Sequence, residues 1–214
     1  MKGCIVSIDE MGCQKEIAKK VIEKKADYEF ALKGNQGNLH EQIETFFSSI
    51  YENNFKNIMY DFHEETDAGH GRIEHRQCWT LDAKSYEKNF LESKKWPSLK
   101  SIIMVKTNRK IGAQETSNTR FYISSCESNA NKLFQAVRKH WQIENSLHWT
   151  LDVTFREDES RIRKGAASEN FAIFRHIALN LIKQNKSSDA SVKRKRYMAA
   201  LDDNFRKTLM ESII

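Results

Sequence analysis

The hydrophobic period of this chain changes twice, and the order of the changes limits what it can fold into. Cys4-Ile5-Val6 and Ile8 form a short apolar run over residues 2–9 that stops at Asp9, the pattern of a buried strand with a carboxylate at its C-terminal end. Gly12 lets the chain turn, and Ile17, Val21 and Ile22 share one face of a helix predicted over residues 14–25. Tyr28, Phe30 and Leu32 alternate along a second strand closed by Gly34-Asn35-Gln36-Gly37, and Leu39, Ile43, Phe46 and Phe47 predict a helix over 38–50. Strand–helix–strand–helix is the signature of a parallel strand pair joined by a crossover.

The period then shortens. Residues 58–64, 72–81, 99–107 and 120–125 are strand-like, most clearly at Ile102-Ile103-Met104-Val105 and Phe121-Tyr122-Ile123. Ala68-Gly69-His70-Gly71 and Gly112-Ala113-Gln114 separate them as turns, so this stretch reads as a mostly antiparallel insertion. Helical spacing returns after Cys126. Ser128 is the expected N-cap, and Leu133, Phe134, Val137, Trp141, Leu147 and Leu151 continue one apolar stripe. A basic break at residues 156–165 follows, and then a helix that Ser168 is expected to cap, with Phe171, Phe174, Ile177, Ala178 and Leu181 turned inward. The resulting division is 1–55, 56–126, 127–185 and a basic tail, 186–214, carrying Lys193-Arg194-Lys195-Arg196.

Charge and cysteine usage narrow the function classes. A net charge of +6 and a pI near 9.0 favour a polyanionic partner. No run of about 18 apolar residues exists to span a membrane, and Asp9 and Glu10 interrupt the N-terminal apolar run too early for a signal core. The expected location is cytoplasmic. Cys4, Cys13, Cys78 and Cys126 are far apart, which points to reduced, mostly buried thiols rather than a zinc site or disulfide framework.

Asp9 and Glu144 are the candidate catalytic pair. Alone, a strand-terminal Asp reads as a turn or cap residue and a helical Glu as a solvated charge. Together, a carboxylate at a strand end and another on a long helix are hard oxygen ligands suited to Mg²⁺ or Mn²⁺ in phosphodiester cleavage. His140, Glu144, His148 and Asp152 also recur every four residues, but that stripe drifts by about 40° per step, so the four cannot ligate one zinc ion. Trp141 and Trp149 read first as core anchors and second as base-stacking platforms. No helix-turn-helix or zinc-finger pattern offers base-specific readout.

Five blocks occur in series: Ile8-Asp9-Glu10-Met11-Gly12-Cys13-Gln14, Ala31-Leu32-Lys33-Gly34-Asn35-Gln36, His70-Gly71-Arg72-Ile73-Glu74, the run from His140 to Phe155, and Arg161-Ile162-Arg163. In that order they resemble the H-repeat-associated branch of the insertion-sequence DDE transposases, from residue 3 to about 185. The resemblance implies an α/β fold: a ribonuclease H-like core with a β-rich insertion and C-terminal helices. It implies Mg²⁺ (or Mn²⁺) held by Asp9 and Glu144 as the second and third acids, and DNA (element ends and target) as substrate. It also implies several copies joined in a synaptic complex.

In the wider group an arginine lies four residues before the glutamate and a lysine seven after. Here those positions hold His140 and Leu151, leaving His140, Arg138 and Lys139 as the local substitutes for contacting DNA. Arg161, Arg163 and Lys164 are the candidates for gripping phosphates beyond the helix. The strand that carries the first acid, and two more after it, have no counterpart before Asp9, so the core is expected to be incomplete. An incomplete core predicts a truncated transposase, inactive alone, with a bare apolar edge on its first strand. The rival expectation is a non-catalytic DNA-binding remnant that interferes with an intact transposase.

Overall fold

The computed structural model describes residues 1–69 and 71–211; His70 of the third sequence block lies outside them. Two compact units divide the chain, residues 1–140 and residues 141–214.

The first unit is built on one six-stranded sheet. Its elements are β1 (Ile5–Ile8), α1 (Lys15–Glu23), β2 (Asp27–Leu32), α2 (Gly37–Glu52), β3 (Asp61–Gly69), β4 (Arg72–Asp82), β5 (Ser101–Ile111), β6 (Gln114–Ser124) and α3 (Ala130–Ile143). The strand order is β1-β2-β6-β5-β4-β3, with β1 and β2 parallel and the remaining pairs antiparallel. The parallel pair and its α1 crossover match the sequence expectation. The four later strands do not form a sheet of their own, because β6 pairs directly with β2 (Phe30 opposite Ile123). Gly112, at φ +57, supplies the positive φ that the two-residue β5–β6 turn requires.

Side chains alternate across the sheet, so it has two cores. On one face Leu39, Ile43, Phe47 and Ile50 of α2 pack with Phe30, Leu32, Ile102, Met104 and Ile123. On the other face lie Ile103, Tyr122 and Cys78, with Leu133, Phe134 and Val137 of α3 also buried. The α3 N-terminus differs from the expected cap. Asn129 Oδ1 accepts the Lys132 amide at 2.8 Å and Asp61 Oδ2 accepts the Ala130 amide at 2.8 Å. Ser128 is instead bonded to Thr80 at 2.8 Å. A residue one step earlier is too far from the free amides of the first turn.

The two sheet edges differ. β3 is exposed and carries Asp61, Glu64, Glu65 and Asp67, charges that discourage strand addition. β1 is outermost on the other side, half-buried and uncharged along Ile5–Ile8. Cys13, Cys78 and Cys126 are buried and all four thiols are free.

The second unit is helical. The α3 helix runs on through a π turn, Glu144–His148, into α4 (Trp149–Phe155), followed by α5 (Ala167–Gln184), α6 (Val192–Leu201) and α7 (Asp203–Glu211). Leu151, Leu179, Ile182 and Leu209 are its buried apolar residues. Three sequence expectations are corrected here. Ala166, not Ser168, precedes the first residue of α5, and no side chain caps it. Phe171, Phe174 and Ile177, expected inward, are 49%, 65% and 46% exposed, and the buried positions are Leu179 and Ile182. Trp149, first read as a core anchor, is 60% exposed. Among the described residues no helix is long and apolar enough to cross a membrane.

Candidate active site

Asp9 stands at the end of β1, and the second sequence block folds onto its turn. Lys33 Nζ lies 2.8 Å from Glu10 and 3.5 Å from Asp9 Oδ1. The side-chain amide of Asn35 donates to the Glu10 carbonyl, and that of Gln36 donates to the Cys13 carbonyl at 2.9 Å. Gln14 closes the turn on Met11 at 3.0 Å. A Cβ on Gly12 would run into the Ile8 side chain, so this turn can pack against β1 only with glycine there. Two blocks read separately in the sequence are therefore one structural device that fixes a carboxylate. Lys33, Asn35 and Gln36 had no assigned role in the sequence reading, although their block was visible.

The electrostatics at Asp9 are unfinished. Its Oδ1 is buried and is ion-paired with the Lys33 ammonium at 3.5 Å, longer than an ordinary hydrogen bond. The hydrogen bond to Glu10, with the Asp9 charge, holds the Lys33 ammonium above its usual range. Two neighbouring carboxylates at a strand end, sharing one ammonium, suit a hard cation.

Glu144 opens the π turn and is exposed. A π turn inserts one residue into a helix and frees a carbonyl, a device common at functional positions. Within this turn the Ser146 carbonyl accepts from Thr150 Oγ1 and from Lys183 Nζ of α5, both at 2.9 Å. Asp152, the last member of the four-residue stripe, is pushed above the usual carboxylate range by desolvation and then by Asp158. No group of three or more His, Cys, Asp or Glu side chains among the described residues could hold a metal. That does not exclude Mg²⁺, which is commonly held by one or two carboxylates plus substrate phosphates.

The basic candidates fall into two sets. In the first unit, His140 Nδ1 lies 3.2 Å from Ser7 Oγ on β1, Arg138 reaches Asp67 at 3.9 Å, and Lys139 is exposed. In the second unit, Arg161 and Lys164 are exposed, whereas Arg163 folds back onto the carbonyls of Ser160 and Ile162, each at 3.0 Å. Arg175 anchors this loop to α5 through Glu157 at 3.3 Å. The tail cluster is partly structural. Lys195 is buried and caps the Asn185 carbonyl at 2.6 Å, and Arg196 lies over the Phe155 ring at 5.5 Å and donates to the Thr154 carbonyl.

The family model for the transposase DDE domain matches residues 1–181. The chain is a member of the DDE transposase family. This DDE family member is 39% identical to the Escherichia coli K12 protein YbfL and 38% identical to the H repeat-associated protein YhhI of the same strain. Both matches cover 96% of the chain and 54% of the relative. YncI of Escherichia coli O157:H7 is 38% identical over 99% of the chain and 54% of its own length. The chain thus spans about half the length of these curated relatives. No solved structure matches it. The branch suggested by the five blocks is the one these relatives represent. Family membership implies a ribonuclease H-like fold.

Proposed function

We propose that this chain is one part of an insertion-sequence transposase, carrying two of the acids for metal-dependent DNA cleavage and strand transfer. The observation that carries the reading is Asp9: a strand-terminal carboxylate fixed by the Lys33–Gln36 block, its buried oxygen ion-paired with Lys33. Asp9 and Glu144 are the residues assigned to Mg²⁺ or Mn²⁺. Bound there, the metal would activate the attacking oxygen and neutralise the leaving one. Lys33 serves as counter-ion to Asp9 and Glu10 and must yield its place at Asp9 Oδ1 when a metal cation binds there. Lys183 keeps the π turn closed behind Glu144. Arg161 and Lys164, with Lys139 and the half-buried Arg138 and His140, are assigned to the DNA backbone.

The first acid of the site is assigned to polypeptide outside these 214 residues, because the chain spans about half of its relatives. The chain alone is therefore proposed to bind DNA without cutting it. Incubation of the purified chain with supercoiled plasmid and Mg²⁺ or Mn²⁺ tests this. Retarded but intact plasmid is expected. Nicking that disappears in Glu144→Ala would overturn the inactivity while keeping the acid assignment.

A second reading is favoured by the open apolar face of α5, where Phe171, Phe174 and Ile177 are exposed. Such a face supports docking onto another polypeptide, so the chain would interfere with an intact transposase by joining its assembly. Reduced transposition of an active relative on co-expression, restored by Phe174→Asp, is the expected result.

A further inference from the structure

Glu29 is a buried acid that the catalytic reading leaves unused. It lies within β2, 2% exposed, and its Oε2 has no hydrogen-bond partner. Burial raises its carboxyl well above the ordinary range. The titratable groups on other elements that feel its charge are Cys78 of β4 and Cys126, thiols that burial also pushes up. Neither supplies a cation, so Glu29 is held as a neutral acid. An unpaired buried polar group costs stability, and groups of that kind concentrate where a site uses them.

Strand register defines its neighbours. Ser7 of β1 stands opposite Glu29 on one side and Ser124 of β6 on the other, so the three side chains share one face of the sheet. The Ser124 hydroxyl is committed, donating to the Tyr28 carbonyl at 2.7 Å and accepting from the Cys126 amide at 3.1 Å. Ser7 is placed differently. Its Oγ lies 3.2 Å from His140 Nδ1 of α3, and a serine hydroxyl can donate one hydrogen bond while accepting another. Paired strands lie about 4.8 Å apart, a gap that a glutamate side chain spans. A rotation of Glu29 therefore brings Oε2 to the Ser7 hydroxyl.

Both ends of this link lead to the assigned acids. Ser7 precedes Asp9 by two residues, and His140 precedes Glu144 by four on the helix that continues through the π turn. In an imidazole, the hydrogen bond made by one ring nitrogen decides whether the other carries the proton.

We propose that Glu29 is a positioning residue that acts through Ser7 to fix the tautomer of His140, the imidazole assigned to the DNA backbone. The carboxyl O–H of Glu29 donates to Ser7 Oγ, and the Ser7 hydroxyl donates to His140 Nδ1. The His140 ring proton is then confined to Nε2, where it can be donated in a hydrogen bond to a backbone phosphate. Every proton stays on its own atom, and only the direction of the chain is set. The inference rests on the DNA reading of His140 and adds two residues that touch no DNA themselves. The inner end of the chain must be a donor, which glutamine supplies through its side-chain amide and methionine does not.

The test is the protonation pattern of His140 in the full chain labelled with nitrogen-15 histidine. It is read at pH 7 by long-range proton–nitrogen correlation, with the signal assigned by His140→Gln and folding checked by circular dichroism. Wild type is expected to carry the proton on Nε2 and Glu29→Gln to keep that pattern. Glu29→Met and Ser7→Ala are expected to lose it and show both tautomers in exchange. Anisotropy with a labelled 20-base-pair duplex is expected to follow, with Glu29→Gln like wild type and the other two about threefold to tenfold weaker. A proton on Nδ1 in wild type, the same pattern in every variant, or a pattern that shifts with no change in affinity would overturn the proposal while leaving DNA association intact. Absence of duplex binding by wild type would overturn the DNA reading itself, and the positioning role with it.

Discussion

Replacing Glu29 should stabilise this protein at neutral pH. Glu29 lies on β2 between Ser7 of β1 and Ser124 of β6, 2% exposed, and its Oε2 has no hydrogen-bond partner. Burial raises its carboxyl well above the ordinary range. The folded state therefore holds this proton at pH values where the unfolded chain has released it. Below the unfolded carboxylate range the contribution of Glu29 to stability does not change with pH. It falls as pH rises through that range toward the raised folded value, after which the full cost is present. A buried polar group without a partner costs about 1–3 kcal/mol, more when charged. Methionine has the same unbranched length and no such cost, so Glu29→Met should gain about 1–3 kcal/mol at pH 8. At about 3 °C per kcal/mol for a unit of this size, the melting temperature should rise by roughly 3–9 °C. The gain should be smaller at pH 4, where the folded-state carboxyl is protonated and only the cost of a neutral unpaired polar group remains. Thermal melts followed by circular dichroism across pH 4–8 measure it, and a variant that melts lower at pH 8, or gains equally at both pH values, refutes the reasoning.

Four further substitutions probe individual packing and capping contacts. Gly12→Ala drives a methyl group into Ile8 and should cost about 1–3 kcal/mol, read as a lower melting temperature. Lys195→Ala removes a buried cap on the Asn185 carbonyl and should cost about 1.5–3 kcal/mol, whereas exposed Lys193→Ala should stay within about 0.5 kcal/mol; denaturant melts of the pair decide it. Lys183→Met withdraws one of the two donors on the Ser146 carbonyl and should cost about 1 kcal/mol, with faster amide exchange across residues 144–150.

Much of the fold was legible because period and turn chemistry agree locally. The β1–α1–β2–α2 order and the strands β3 to β6 follow from alternation and from Gly34, Gly37 and Gly112. What failed was the step from a stripe to its cover. Phe171, Phe174 and Ile177 form an apolar face at helical spacing, but spacing does not say whether another element lies against it, and here they are exposed. Trp149 misleads for the same reason. The Lys193–Arg196 cluster shows the converse: a run of like charge reads as solvated, yet Lys195 is buried, because its long stem can pack while its ammonium reaches the Asn185 carbonyl. The π turn at Glu144 shifts the helical phase by one residue, which a periodicity read over four turns does not resolve. Asp9 was visible as a strand-end acid. Its fixation by Lys33, Asn35 and Gln36 is a contact across about 25 residues, which local pattern does not reveal.

The assignment of Asp9 and Glu144 as metal-holding acids is tested most directly by iron-mediated cleavage of the chain. Fe²⁺ in place of Mg²⁺, in the presence of DNA, ascorbate and peroxide, generates hydroxyl radicals that cut the polypeptide beside the bound ion. The account predicts cuts next to residues 9 and 144, suppressed by excess Mg²⁺ and lost in Asp9→Asn and Glu144→Gln respectively. Cuts elsewhere that survive both substitutions would contradict it.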